Sequence, residues 1–207
     1  PQYVDFLCRE LEHTAQIAKE LNLRLETVYM GGGTPTTLTA EQLNRVLGEV
    51  NRLFDMSTVR EFTVEAGRPD TIDTDKLCAI KKNGVTRISI NPQTMNDSVL
   101  RAIGRNHTAS DTVNAFKTAR EIGFNNINTD LIAGLPTDDF KSFKNTLEKI
   151  IELMPESVTV HSLSVKRAAT ITSSGQFAQI NSGAAASQMV NFAREVLTQN
   201  GILPYYM

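Results

Sequence analysis

Apolar positions along this chain follow two periods in turn, and that alternation predicts the fold. Val4, Leu7, Cys8, Leu11, Ala15 and Ala18 repeat at the spacing of one helix face, so residues 3–21 are expected to form an amphipathic helix. Residues 27–30 are β-prone and lead straight into Gly31, Gly32 and Gly33. Thr39-Ala-Glu-Gln42 has the form of a capping box, and Leu43, Val46, Leu47, Val50 and Leu53 mark the buried face of the helix it starts. Residues 61–65 alternate as a strand that ends at Glu65. Asp73 caps a helix running to Asn83, with Gly84 as its left-handed terminator. A third strand is expected over 85–90 and a short helix over 97–103. A longer helix capped by Ser110 follows, with Val113, Phe116 and Ala119 turned inward. Residues 126–132 make a fourth strand. The stripe Phe140, Phe143, Leu147, Ile150 and Ile151 marks a helix stopped by Pro155, and 157–165 a fifth strand. Residues 168–187, rich in Ser, Ala, Gly and Thr without a period, read as a mobile loop. A last helix covers 189–197, and 202–207 are placed as the start of a further strand.

Five strand–helix alternations at short spacing predict an α/β fold with parallel strands and right-handed crossovers. Polar residues gather just after the strand C-termini: the glycine loop, Glu65, Gln93, Asp130 and residues 161–164. Five strand ends with polar candidates favour a partial βα barrel carrying them around one mouth. A doubly wound open sheet would concentrate them at a single switch point. Residues 1–207 are expected to be one such core.

Composition narrows the function without naming it. The 207 residues are 41% hydrophobic and 21% charged, ordinary for one domain with a substantial core. A net charge of −2 leaves no basic footprint for nucleic acid. No apolar run approaches the roughly 18 residues of a membrane span, and no signal peptide stands at the start, so the chain reads as cytoplasmic. Cys8 and Cys78 are far apart and lie in helical patterns, so both read as core thiols. His13, His107 and His161 are dispersed, and local spacing assembles no metal site.

Three glycines at a strand end bare the backbone to a ligand. Neither Lys-Ser nor Lys-Thr follows them, as a phosphate-binding P-loop requires, and G-x-G-x-x-G is absent. A tight turn without a ligand, or an anion cradle for a phosphorylated metabolite, are the other readings of the triplet. Glu65 ends an apolar strand, where a charge is costly unless something binds it. It suits an ammonium or ribose group, or a salt bridge to Arg68 or Arg87. Asp130 faces a ligand or caps the Gly134 turn. Arg105 forks onto a carboxylate or is solvated, and Gln93 offers a donor and an acceptor. His107 and His161 read as structural or supporting residues. No nucleophile with its base is recognisable, so glycines and polar groups together suggest that a cofactor carries the chemistry.

The order of motifs sharpens this. Val28-Tyr-Met-Gly-Gly-Gly-Thr-Pro-Thr36, Val64-Glu-Ala-Gly-Arg-Pro-Asp70, Gly84-Val-Thr-Arg-Ile-Ser-Ile-Asn-Pro-Gln-Thr-Met-Asn-Asp97, Ile103-Gly-Arg-Asn-His107 and Asn128-Thr-Asp-Leu-Ile-Ala-Gly-Leu-Pro136 occur in that sequence. This succession resembles the oxygen-independent coproporphyrinogen III oxidase family of radical S-adenosylmethionine (SAM) enzymes, from the first helix to about Lys166. Glu-Ala-Gly-Arg-Pro-Asp, Asn-Pro-Gln-Thr and His161-Ser-Leu-Ser-Val-Lys-Arg167 are most similar to its coproporphyrinogen dehydrogenase branch. The resemblance implies that Gly31, Gly32, Gly33 and Thr34 hold the methionyl ammonium of SAM and that Glu65 contacts the same molecule. Gln93, Arg105, Asp130 and Ser164 match positions around a second SAM or the substrate side of the cavity. It further implies a [4Fe–4S] cluster, a reductant such as flavodoxin or ferredoxin, and coproporphyrinogen III or a related porphyrin as substrate. In the family a 5′-deoxyadenosyl radical takes hydrogen from a propionate, and loss of CO₂ leaves a vinyl group. The family's C-x-x-x-C-x-x-C motif is absent from these residues. The expectation is therefore of a core whose cluster ligands lie upstream of residue 1 and which is inactive alone. A haem-binding or haem-delivering relative with the same core is the alternative within the resemblance.

Overall fold

The computed structural model describes residues 2–163 and 183–205. Its strands are β1 (Thr27–Met30), β2 (Glu61–Gly67), β3 (Arg87–Ile90), β4 (Ile127–Ala133) and β5 (Ser157–Ser162), in the sheet order β1-β2-β3-β4-β5. The sheet is parallel, with Tyr29 opposite Thr63 and Asp130 opposite Thr159. Strand order follows chain order with no reversal. The winding is therefore that of a βα barrel, and among the described strands there is no switch point of a doubly wound sheet. No helix among the described residues is long and apolar enough to cross a membrane.

The chain divides into two compact units: Pro1–Ser89 with Lys117–Asn126, and Ile90–Phe116 with Ile127–Met207. In the first unit α1 (Gln2–Glu20) lays Val4 and Cys8 against Val46 of α2 (Ala40–Leu53). Thr39 and Gln42 exchange side-chain and backbone hydrogen bonds in the expected capping box. In β2 the apolar face, Phe62, Val64 and Ala66, is buried, while Glu61, Thr63 and Glu65 share the opposite face. Asp73 caps α3 (Thr74–Lys82), and Gly84 leaves it at φ 79°.

In the second unit Leu131 and Ala133 of β4 pack with Phe143, Leu147 and Ile150 of α6 (Phe140–Glu152) and with Met189, Ala193 and Leu197 of α7 (Gly183–Gln199). Each of the buried Leu, Phe, Ile and Met side chains contributes about 2 kcal/mol. The loop after β3 is fastened to α6, because Thr146 Oγ1 accepts from Met95 N–H at 3.1 Å and Asn96 Nδ2 donates to Ser142 Oγ at 2.8 Å. Asn96 also caps α4 (Asp97–Ala102).

Several boundaries differ from expectation for identifiable reasons. α5 (Ala109–Ile122) is capped by Thr108, whose hydroxyl accepts from Asp111 N–H while the Asp111 carboxylate accepts from Thr108 N–H. Its buried stripe is Thr112, Ala115, Phe116 and Ala119, so Phe116 and Ala119 face inward as expected while Val113 is 43% exposed. α7 begins at Gly183, six residues ahead of the expected helix, so 183–187 are helical rather than loop. Three alanines there favour helix without giving an apolar period. The remainder of the expected mobile loop, 168–182, lies outside the described residues. Residues 202–205 form no strand, because Ile202 N–H closes the end of α7 on Leu197 C=O. Cys78 is exposed on α3, not a core thiol, whereas Cys8 is buried.

Candidate functional site

The first unit builds a cradle from β1, β2 and the turns that leave them. Tyr29 stands beside Thr63 in register, which places its ring on the face carrying Glu65, and its hydroxyl donates to the Glu65 carboxylate. Arg68 meanwhile forks onto Asp70 and Arg87 reaches Glu61. The salt bridge open to Glu65 from sequence is therefore replaced by a neutral donor. A Cβ at Gly31 would lie 2.5 Å from Tyr29 Cε1 and 3.0 Å from the Glu65 carboxyl carbon, so a side chain there must shift this pair. Gly32 (φ 99°) and Gly33 face open space. The loop thus has one glycine committed to packing and two that leave backbone approachable.

The next residues are locked. Thr34 sits at φ 59°, sparsely allowed for a side chain of its kind, with Cγ2 3.1 Å from where a Gly67 Cβ would be. Thr36 Oγ1 donates to Ala66 C=O at 2.7 Å, and Lys76 Nζ reaches Thr36 C=O and Thr71 C=O at 2.9 and 3.0 Å. These bonds tie the glycine loop to the segment after Glu65. A carboxylate beside exposed glycine N–H and C=O groups suits a ligand with an ammonium or hydroxyl. It repels phosphate, which weighs against an anion cradle.

The second unit carries Gln93 and Asp130. Gln93 accepts from Ile132 N–H and donates its own N–H to Asp130 C=O, extending the β4 pairing beyond β3 by one isolated bridge. Those two bonds hold Gln93 at φ 70°, and stored backbone strain of this sort is commonest at functional positions. Asp130 does not cap the Gly134 turn. Its Oδ1 accepts from Asn128 Nδ2 at 2.8 Å, and its Oδ2 lies 4.0 Å from His161 Nε2. Asn128 is held in turn, its Oδ1 accepting from Ser157 Oγ at 2.9 Å and Thr159 Oγ1 at 3.3 Å. Arg105 follows α4, with Gly104 at φ 72° and its own N–H bonded to Leu100 C=O. His107 is buried and hydrogen-bonds Pro92 C=O at 3.1 Å, a structural role next to Gln93. His161 is 57% exposed beside Asp130. Ser164 lies outside the described residues.

Sequence reasoning did not single out Tyr29 or Asn128. Both enter through strand register, and only the alternation of side chains along β1 and β4 hinted at them.

The chain's own residues fit one of the two cofactors the motifs imply. The Gly31–Glu65 cradle suits the methionyl end of SAM. The ligands of a [4Fe–4S] cluster are not among these residues: the sequence has two cysteines, and burial pushes the Cys8 thiol up, away from the thiolate a cluster needs. Among the described residues no three His, Cys, Asp or Glu side chains converge on a metal position.

The radical SAM superfamily model matches residues 4–150. The oxygen-independent coproporphyrinogen-III oxidase-like protein HemZ of Bacillus subtilis is 43% identical over 199 residues, 96% of this chain and 40% of the relative. The heme chaperone HemW of the same organism is 40% identical over 166 residues, 80% of this chain and 43% of the relative. The chain thus spans about two fifths of the length of these curated relatives. The crystallised coproporphyrinogen III oxidase HemN of Escherichia coli superposes with a TM-score of 0.85 at 28% identity, covering 97% of this chain and 46% of that one. The expected parallel α/β fold is the fold observed, and the chain belongs to the radical SAM superfamily.

Proposed function

We propose that this chain is the SAM-binding core of an oxygen-independent coproporphyrinogen III dehydrogenase, acting in haem biosynthesis by oxidative decarboxylation of porphyrinogen propionates. The observation that carries the reading is the 43% identity with the HemZ protein along nearly the whole chain. Within that stretch Gly31 and Gln93 follow β1 and β3, whereas Glu65 and Asp130 lie inside β2 and β4 rather than just after their ends. Bound SAM supplies the group that removes a hydrogen atom from the substrate.

The residues of this chain bind and orient. Glu65, fixed by Tyr29, accepts from the methionyl ammonium, and Gly32 and Gly33 with Thr34 offer backbone groups to the same end of the molecule. Asp130 accepts from a hydroxyl or ammonium, Gln93 donates or accepts through its amide, and Arg105 forks onto a carboxylate. Ser164 is assigned to the same side by resemblance. No step is assigned to an iron–sulfur cluster, because these residues do not provide its ligands. A cytoplasmic setting and a flavodoxin or ferredoxin as reductant belong to the same proposal.

A haem-binding role is the second reading, favoured by the 40% identity with the heme chaperone HemW. One experiment separates the two. Full-length, anaerobically prepared protein is given SAM, a reductant and coproporphyrinogen III, and CO₂ and vinyl products are followed. SAM-dependent decarboxylation is expected. Tight haem binding with no decarboxylation would replace the first reading by the second.

A further inference from the structure

We propose that His161, carried by Asp130, is a specificity-determining residue that binds a carboxylate of the tetrapyrrole. This rests on the proposed function for the class of ligand, and on β4 and β5 alone for its geometry. Parallel register sets Asn128 beside Ser157, Asp130 beside Thr159 and Ile132 beside His161. The period of two puts Asn128, Asp130, Ser157, Thr159 and His161 on one face. Leu131, Val158 and Val160 lie on the other, packed against helices.

The column is ordered from the bottom. Ser157 and Thr159 orient Asn128, Asn128 holds one oxygen of Asp130, and the second oxygen faces the imidazole at 4.0 Å. Asp130 is 23% exposed and His161 is 57% exposed, so the ring is the outermost member. A bare carboxylate here would repel an anionic ligand. The imidazole over it covers that carboxylate and offers a ring N–H to an incoming carboxylate. A ring N–H standing between the two carboxylates lets a propionate be taken up without displacing Asp130. Among the described residues, Asp130 is the charged group within ion-pair distance of His161.

The test uses full-length protein and an iron-free tetracarboxylate porphyrin, so that a histidine–iron bond cannot imitate the effect. The same macrocycle bearing ethyl groups in place of the carboxylates is the control. His161→Phe is expected to weaken tetracarboxylate binding about tenfold, the scale of one charge-assisted hydrogen bond, and His161→Arg to restore it. SAM affinity and binding of the ethyl macrocycle should stay within twofold. Equal tetracarboxylate affinity in wild type and His161→Phe overturns the proposal, as does an equal loss for both macrocycles. Tetracarboxylate binding without decarboxylation overturns the proposed enzyme activity alone. No binding by the wild type overturns both.

Discussion

The Gly31–Glu65 cradle and the Asn128–Asp130–His161 column offer polar groups in opposite ways. The cradle works through missing atoms and strained backbone: a Cβ that Gly31 lacks, Gly67 at φ 55° and Thr34 at φ 59°. Its one charged side chain is fixed by a neighbour on the adjacent strand. The column has ordinary strand backbone, and its order comes from side chains pairing across β4 and β5. A site made of backbone tolerates almost no substitution at its glycines. A site made of a ladder can lose a rung and keep its fold. The two should therefore fail differently when mutated.

The largest effect is expected at Gly31. An added methyl at 2.5 Å from Tyr29 and 3.0 Å from Glu65 must expel one of them. Gly31→Ala in the full-length protein should cost little stability, on the order of 0.5 kcal/mol, because the atoms it meets end side chains that can swing away, Tyr29 being 63% exposed. SAM binding should nonetheless be lost in calorimetry. Retained affinity would show that the Tyr29–Glu65 pair is dispensable. Glu65→Gln comes next. It keeps the Tyr29 contact and the volume but removes the charge, so SAM affinity should weaken by about 1.5–3 kcal/mol with an unchanged melting temperature. A lowered melting temperature with intact affinity would make Glu65 structural.

This contrast explains what was legible. Gly-Gly-Gly-Thr-Pro after a β-prone run announces itself, because few residues satisfy such backbone and each leaves a mark in the sequence. The strand of Glu65, the capping box at Thr39 and the Asp73 cap were readable for the same local reason. Asn128 was not, since its importance depends on standing beside Ser157, and pairing across 29 residues leaves no local signature. Nor was the start of α7, where alanine carries helix propensity but no periodicity. His107 and His161 look alike in sequence. One is buried against Pro92 and the other exposed over Asp130, and only packing separates them.

A smaller effect is expected at Gln93, where the second unit borrows the strategy of the first. The residue is held at φ 70° by its bonds to Asp130 and Ile132. Glycine adopts that region without the steric penalty, so Gln93→Gly should leave stability unchanged or raise it by up to about 1 kcal/mol. Ligand affinity should fall with loss of the amide. Chemical denaturation and SAM or porphyrin titration on the same samples would check both halves. Lower stability with full affinity would mean that the side chain serves the fold rather than the ligand.

The smallest effect belongs to Asp138, in the loop after β4, and it asks whether the second unit holds a carboxyl that weakens it. Asp138 is 2% exposed, and burial pushes its carboxyl above the ordinary carboxylate value; the nearby Ser142 partly opposes this and the neighbouring Asp139 adds to it. The folded state therefore holds this proton more tightly than the unfolded chain. Its stabilising contribution is complete below the unfolded value and is lost as pH rises through the folded one. Asp138→Asn mimics the protonated form in size and removes the titration. At neutral pH the variant should match or exceed the wild type in stability, and below the ordinary carboxylate range the advantage should vanish. Melting curves of full-length wild type and variant from acid to neutral pH would show the two converging at the acid end. An advantage for the wild type at neutral pH would mean that the ionised carboxylate has a partner strong enough to outweigh its burial.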